Sequence, residues 1–532
     1  IACANIAILM LIRGSVRGRE IAVRAALGAT RWQIVRPFVI ESLLLAIVGG
    51  GLGLVLATAG MHTLLALNPV ALPRLETGAL TDSRVLLFAT VLSAMTGLVC
   101  GVGPALRLSR VERVAQLRAG SSSGATFRER RVRTLLAIGE MALALVLVVG
   151  AILLIRTFAA LNQVDRGYDP QHLLTLKVGQ SHPRFTKTSE VERLVHTTVQ
   201  RVTALPGVIG AAATRTLPLE SDWRTAVHII DRPLPDAGPQ VVSYRIVSPE
   251  YFDVLRIPIL RGRALTSRDS VRAAPVALIN RAMAQRYWPD GDALNARIVA
   301  FPGRVADDEP PRQVIGIVSD VRDGMPLEQD EQPTIYVPLA QLLDRESASQ
   351  APFALAWIIR TTVESSALTR SIQREIAQAT AGEPVTDVGS MRQLAAREIA
   401  PTTFSMVVLI VFGASALLLA GIGLYGVIAH DVQQRAREIA IRLAVGARWV
   451  DIRNLVLLDG LKLVSLAVAV GLTVAAALVR SLTAFLYGVL PHDVVTFATA
   501  SLLLCTIAMV AVWVPARRAA TMDPVEVLRR FT

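Results

Sequence analysis

The side chains that could do chemistry are few and poorly arranged for it. A zinc protease motif of the His-Glu-x-x-His type needs a histidine followed by glutamate, and none of the seven histidines is. A phosphate-cradling P-loop needs Gly-Lys, and the three lysines, Lys177, Lys187 and Lys462, follow leucine, threonine and leucine. Gly120-Ser121-Ser122-Ser123-Gly124 has the spacing of a hydrolase nucleophile elbow. That motif requires a strand before it and a helix after it, whereas a basic connector surrounds it here, so it reads as flexible linker. Gly421-Ile422-Gly423-Leu424-Tyr425-Gly426 is spaced like a dinucleotide fingerprint but lies within an apolar run, where glycines serve close helix packing, as do Gly97 and Gly101. No metal-ligand spacing is present outside the apolar runs. The chain therefore reads as a non-enzyme, with no catalytic residue, cofactor or metal.

Three carboxylates do fall inside apolar runs: Glu41, Glu140 and Asp459. An ionisable group in a membrane helix is a functional candidate by default. The competing role is pairing with an arginine or snorkelling to the interface, and Glu140 stands about two turns past Arg133.

A charged stretch occurs twice. Arg17-Gly18-Arg19-Glu20-Ile21-Ala22-Val23-Arg24-Ala25-Ala26-Leu27-Gly28-Ala29 is matched without a gap by Arg435-Ala436-Arg437-Glu438-Ile439-Ala440-Ile441-Arg442-Leu443-Ala444-Val445-Gly446-Ala447, and each copy bridges two apolar runs. Glu20 and Arg24, like Glu438 and Arg442, stand four apart with the acid first, an arrangement that supports a helix by roughly 0.2–0.5 kcal/mol. Ile21, Ala25 and Gly28, and in the copy Ile439, Leu443 and Gly446, share one face, which is expected to contact another molecule or segment. Gly28 and Gly446 are placed for a left-handed helix end. Thr30 and Gln33 have capping-box spacing for the next helix; the second copy has Arg448 and Asp451, so that detail is not expected to be shared. Contact with anionic lipid would be worth about 1 kcal/mol per arginine. It does not account for one pattern kept in two halves, so docking of a protein partner is the favoured reading.

The elements that carry these residues are membrane helices. The 532 residues are 52% hydrophobic with mean hydropathy +0.48 and contain apolar runs long enough to cross a bilayer. The net charge of +13 does not indicate nucleic acid, because residues 159–401 hold 27 basic and 28 acidic side chains and the excess lies beside the apolar runs. Cys3, Cys100 and Cys505 all lie in those runs, which leaves no disulfide for the middle domain.

Charge also sets the orientation. Segments 13–36, 107–133, 431–453 and 517–530 carry 6, 8, 5 and 4 arginines, against 2 and 1 in loops 68–84 and 480–493, so the first group is cytoplasmic and residues 159–401 lie outside the membrane. The organisation reads as a first membrane domain (1–118), a cytoplasmic linker (119–133), a transmembrane helix (134–158), an outside domain (159–401) and a second membrane domain (402–532), with about seven spans. Phe38 to Leu67 is a long span in which Gly49-Gly50-Gly51-Leu52-Gly53 predicts a bend or close packing, and Asp82 and Asp493 are N-caps of later spans. About a dozen residues precede Arg13 where crossing takes about 20. The first span is expected to be truncated, and the chain to be an N-terminally incomplete fragment lacking a preceding span and a first outside domain.

The outside domain alternates short strands and helices: strands at 173–178, 208–214, 276–279, 314–318, 334–337 and 353–360, helices at 189–204, 280–288 and 368–380. Two subdomains are expected, with about Ile257 to Gln341 inserted into the other. Met391 to Glu398 reads as a helix leading directly into the next span.

These features together resemble a known family. The twice-occurring bridge resembles the cytoplasmic coupling region of FtsX-like ABC transporter permeases. Gly167-Tyr168-Asp169-Pro170, Tyr251-Phe252 through Gly262-Arg263, Pro275 to Asn280 through Arg286-Tyr287-Trp288, and Gly316 to Arg322 resemble a MacB-type periplasmic core domain, and the duplication resembles the ADOP orphan permeases. The resemblance implies an integral membrane α-helical bundle with one extracytoplasmic α+β domain, in the bacterial cytoplasmic (inner) membrane with residues 159–401 in the periplasm. A separate cytoplasmic ATPase would meet Arg19, Glu20, Arg24 and Gly28, and Arg437, Glu438, Arg442 and Gly446. The partners implied are that ATPase, membrane lipid and a possible periplasmic protein. The activity implied is mechanotransmission with export of a substrate; the alternative is a non-transporting transmitter that controls a periplasmic protein such as a cell-wall hydrolase.

Overall fold

The computed structural model describes residues 1–16, 27, 29–67, 82–111, 123–163, 165–179, 187–220, 223–230, 240–289, 291–300, 310–322, 331–342, 344, 354–363, 368–380 and 382–521. Contacts divide the chain into two units, Ile1–Ala160 with Thr402–Thr532, and Leu161–Pro401. The first bridge, with Arg19, Glu20, Arg24 and Gly28, lies outside the described residues, as does the connector 112–122.

Four helices come first: α1 (Ala2–Val16), α2 (Arg31–Leu67), α3 (Ser83–Val111) and α4 (Ser123–Gln163). Then follow β1 (Leu173–Val178), α5 (Thr188–Thr203), β2 (Val208–Thr214), β3 (Arg224–Ile229), β4 (Gln240–Val247), α6 (Tyr251–Leu255) and β5 (Ile259–Gly262). Next are β6 (Val276–Asn280), α7 (Arg281–Tyr287), β7 (Arg297–Ala300), β8 (Arg312–Val318), β9 (Thr334–Pro338), β10 (Leu355–Thr361), α8 (Thr369–Ala379) and β11 (Val385–Ser390). The chain closes with α9 (Met391–Gln434), α10 (Ala436–Ala444), α11 (Trp449–Val479) and α12 (Val494–Ala520).

In the helical unit, five described segments are long and apolar enough to cross a membrane: Val35–Thr63, Arg130–Leu161, Thr403–Gln434, Trp449–Val479 and Val494–Ala520. Ser83–Val99 is a shorter apolar helix and α1 has 15 residues, so five of the expected spans meet the length on their own. Helix α2 runs uninterrupted through its glycine cluster. Of the cluster only Gly50 meets a neighbour, with Ser93 Oγ 3.2 Å from where a Cβ would stand, while on α3 a Cβ at Gly97 would come within 2.7 Å of the Ala46 Cβ. Close packing is therefore the role of Gly50 and Gly97, whereas a Cβ at Gly49, Gly51 or Gly53 would meet no described atom within 4 Å. Helix α4 begins at Ser123, so the last part of the expected linker is helical. The core joins Leu145 and Val149 of α4, Leu424 and Ile428 of α9, Ala467 and Ala475 of α11, and Leu504 and Ala508 of α12. Small residues let the backbones approach: a Cβ on Gly471 would lie 3.1 Å from both Cα and O of Ala142. Large apolar side chains such as Leu56 and Leu502 point outward, as lipid-facing surfaces require.

The other unit is built on one 11-stranded sheet in the order β11-β1-β10-β2-β4-β3-β7-β8-β6-β9, with β5 on β8. A parallel pairing of β4 with β9, Ser243↔Thr334 to Val247↔Pro338, closes six of these strands into a ring. The expected insertion therefore has different limits, because β3 and β4 belong to the ring. Strand β4 meets β2 at the single pair Thr214↔Val247 but runs beside β3 and β9 over several residues. Alternation along β10 sends Trp357 and Ile359 to one core, under α5 and α8, and Ala356 and Ile358 to the other, under α6. Strands β3, β4, β5, β7 and β11 are absent from the sequence reading. Those of four residues carry too little alternation to stand out; β4 showed it, at Val242, Tyr244 and Ile246.

Candidate functional site

The second bridge is the helix α10. Ile439 and Ala440 are buried and Leu443 packs against the bundle core, so the face expected to meet something else is turned inward onto the protein's own helices. The outward face carries Arg437, Glu438, Ile441 and Arg442, with Ile441 47% and Val445 84% exposed. Arg442 Nη2 and Glu438 Oε1 form the expected ion pair at 2.6 Å. Gly446, at φ +106, ends the helix: its N–H donates to Leu443 O at 3.1 Å and the Ala447 N–H to Arg442 O at 3.0 Å, a Schellman turn that needs a residue free of Cβ strain.

Two devices hold this helix in place. Arg435, at its N-terminus, donates from Nη1 to Asp459 Oδ2 at 3.1 Å, and Lys462 Nζ lies 3.6 Å from the other oxygen, so Asp459 fastens the bridge to α11. On its far side the Arg448 N–H donates to Asp451 Oδ2 at 3.1 Å, starting α11, while in the first half Thr30 and Gln33 form a reciprocal box at 2.7 and 3.4 Å. Half of the capping arrangement is thus shared after all, because a carboxylate at the third helical position accepts from the cap N–H whatever the cap side chain is. Trp449 is exposed under the Arg453 guanidinium, 5.0 Å from the ring centre.

The other two intramembrane acids differ. Glu41 is half-buried on α2. Glu140 is 3% exposed, and neither of its oxygens has a hydrogen-bond partner among the described residues. Pairing with arginine therefore holds for Asp459, while Glu140 has no such ion pair among the described residues. Opposite Glu140 stand Gly423, whose Cβ would lie 2.6 Å from Glu140 Oε2, and Asn5, whose Nδ2 donates to Leu419 O at 3.0 Å and whose Oδ1 has no donor. The sequence reading passed over Asn5. Its signal was the repeat register, which aligns Asn5 with Gly423: one half has a polar side chain where the other has none.

In the outside unit the family-like motifs are structural joints. Gly167 adopts φ +74 and a Cβ there would lie 1.9 Å from Asp320 O. Asp169 accepts from Arg256 at 2.8 Å and Arg360 at 3.2 Å. Burial alone would raise its pKa, but the Gln171 N–H, Arg360 and Arg256 together bring it below the usual carboxylate range. Asp269 lies lower than usual because Arg263 hydrogen-bonds to it, at 2.8 Å to each oxygen. Asp320 accepts from Arg281 Nε at 2.9 Å and from the Ala282 N–H at 2.7 Å. No cluster of metal-ligating side chains occurs among the described residues.

Comparison with known proteins covers both units. Residues 134–379 match the MacB-like periplasmic core domain, and residues 1–113 and 410–524 match the FtsX-like permease C-terminal domain. The chain is 26% identical over 366 residues to the macrolide export ATP-binding/permease protein MacB of Azoarcus sp. strain BH72, covering 67% of this chain and 51% of that one. It is 25% identical over 335 residues to the probable syringafactin export ATP-binding/permease protein SyfD of Pseudomonas syringae pv. tomato, covering 59% and 47%. The chain thus spans about half the length of these relatives. Among solved structures, the periplasmic region of MacB from Actinobacillus actinomycetemcomitans aligns with a TM-score of 0.30 at 13% identity, over 44% of this chain and 95% of that one.

Proposed function

The chain belongs to the MacB/FtsX-like ABC permeases, and from that premise we propose that it is a permease subunit of the mechanotransmission type, driven by a cytoplasmic ATPase on another polypeptide. The observation that carries this reading is the outward face of α10. It presents the apolar Ile441 and Val445 beside a Glu438–Arg442 pair at the end of the bundle where the arginines gather. A water-facing apolar patch on a helix fixed from behind by Ile439 and the Arg435–Asp459 pair suits a partner that pushes on it. ATP-driven closure of the partner would move α10 with α11, and the displacement would pass to the outside domain through α4 and α9, the helices by which the chain enters and leaves it. Export is the activity carried over from the relatives, whose names give different exported compounds, so no single compound is assigned.

The test is co-purification of the full-length protein from membranes, as wild type, as Glu20→Lys with Glu438→Lys, and as Val445→Glu. An ATPase recovered with the wild type and lost from both variants, with folding unchanged, is the expected result. Failure to recover any ATPase with the wild type under crosslinking withdraws the powered-permease reading. ATP turnover stimulated by a transported compound marks an exporter; a stable outside protein partner without an exported compound marks the transmitter instead.

A further inference from the structure

Glu140 and Asn5 present acceptors to the same small space with no donor between them. Glu140 Oε2 and Asn5 Oδ1 lie 2.6 and 3.5 Å from the point that a Gly423 Cβ would occupy, and both are buried without a hydrogen-bond partner among the described residues. Turning the Asn5 amide over does not help, because its nitrogen is already committed to Leu419 O at 3.0 Å. An ionised carboxylate in this interior has lost the donors of water and gained none, whereas a carboxylic acid supplies the one donor the space lacks.

The charged groups on the surrounding elements do not fill the gap. Arg133 lies seven residues earlier on α4, about 10 Å along the axis. On α9, His430 faces Gln434 at 2.9 Å, Asp431 is bound to Arg130 at 2.7 Å, and Tyr425 accepts from Arg518 at 2.9 Å. On α11, which meets α4 at Ala142 through Gly471, Asp459 pairs with both Lys462 and Arg435. Helix α1 has no carboxylate or basic side chain from Ala2 to Ile12, and the α-amino group of Ile1 before it acts on Glu140 through space without giving it a hydrogen bond.

We infer that Glu140 and Asn5 form a proton-binding site in the membrane bundle, the Glu140 carboxyl carrying the proton and offering its O–H to Asn5 Oδ1 across the space that Gly423 leaves open. Release of the proton leaves a carboxylate that needs water or another donor, so it accompanies separation of α1 and α9 from α4. The site would then exchange one proton with water for each such opening. This inference rests on the bundle alone and is independent of the ATPase reading.

The test is infrared spectroscopy of the full-length protein in lipid nanodiscs, with dicyclohexylcarbodiimide as a probe of neutral carboxyls in apolar surroundings. The expected result is a carbonyl band of a protonated acid that shifts in D2O, is lost in Glu140→Gln and moves in Asn5→Leu, with the carbodiimide adduct found on Glu140 and not on the paired Asp459. Glu140→Gln keeps the shape and a donor toward Asn5, and the Asn5→Leu shift serves as an independent reading on the same band. Absence of any band assignable to Glu140 means an ionised carboxylate and overturns the site. Loss of the adduct on adding sodium at fixed pH assigns the space to a metal cation and overturns it equally.

Discussion

The outside unit and the helical bundle hold buried polar groups in opposite ways. In the outside unit the Arg360 guanidinium donates to the carbonyls of Val254, Gln171 and Asp169 and to the Asp169 carboxylate, and Asp269 and Asp320 each receive an arginine and a backbone N–H. In the bundle, helix contacts are made by apolar and small residues, Asp431 and Asp459 are each held by an arginine, and Glu140, buried between the helices, has no hydrogen-bond partner among the described residues. A charge with several fixed donors is a joint that resists movement. A carboxyl without them is a place where a change of protonation or hydration alters packing.

The largest effect that tests this contrast is Arg360→Met. It takes a donor from each of three carbonyls and leaves the Asp169 carboxylate with Arg256 and the Gln171 N–H, and the several lost bonds should together destabilise the outside unit by about 3–5 kcal/mol, read from denaturant or thermal unfolding of the purified full-length protein. Next comes Gly471→Val, which drives a side chain into the Ala142 backbone and should cost about 1–3 kcal/mol, measured by unfolding of the bundle in mixed detergent. A small change there would mean that α4 and α11 are not packed through this glycine.

Acid titration gives a third effect. The folded Asp269 pKa lies below its unfolded value of about 3.9, so the stability it contributes is complete above that pH and is lost as pH falls through the folded value. Asp269→Asn should flatten that acid limb of the stability curve, and an unchanged limb would remove the Arg263 pair from the account. The smallest effect is Glu140→Gln, expected to alter stability by less than about 1 kcal/mol because the amide still offers Asn5 a donor. A loss as large as that at Arg360 would show a paired carboxylate and erase the difference between the two units.

The division into bundle and outside domain could be read from composition, because runs of twenty apolar residues have no other stable use and residues 159–401 have balanced charge. The bridge helix with its Glu438–Arg442 pair and its Gly446 end was equally legible, since helix spacing and a left-handed cap are local properties. Which face of that helix looks outward was not. Ile439 and Val445 are equally apolar in sequence, and only packing against the bundle buries the one and exposes the other. The six-strand ring was hidden for the same reason: the β4–β9 pairing joins segments that are far apart along the chain. Local chemistry in the sequence determined the class of the protein, its repeat and its helix ends. The tertiary structure alone decided that Asp459 has a partner and that Glu140 faces Asn5 and Gly423, because a hydrogen bond depends on which side chains the fold brings within about 3 Å, and spacing along one helix cannot specify that.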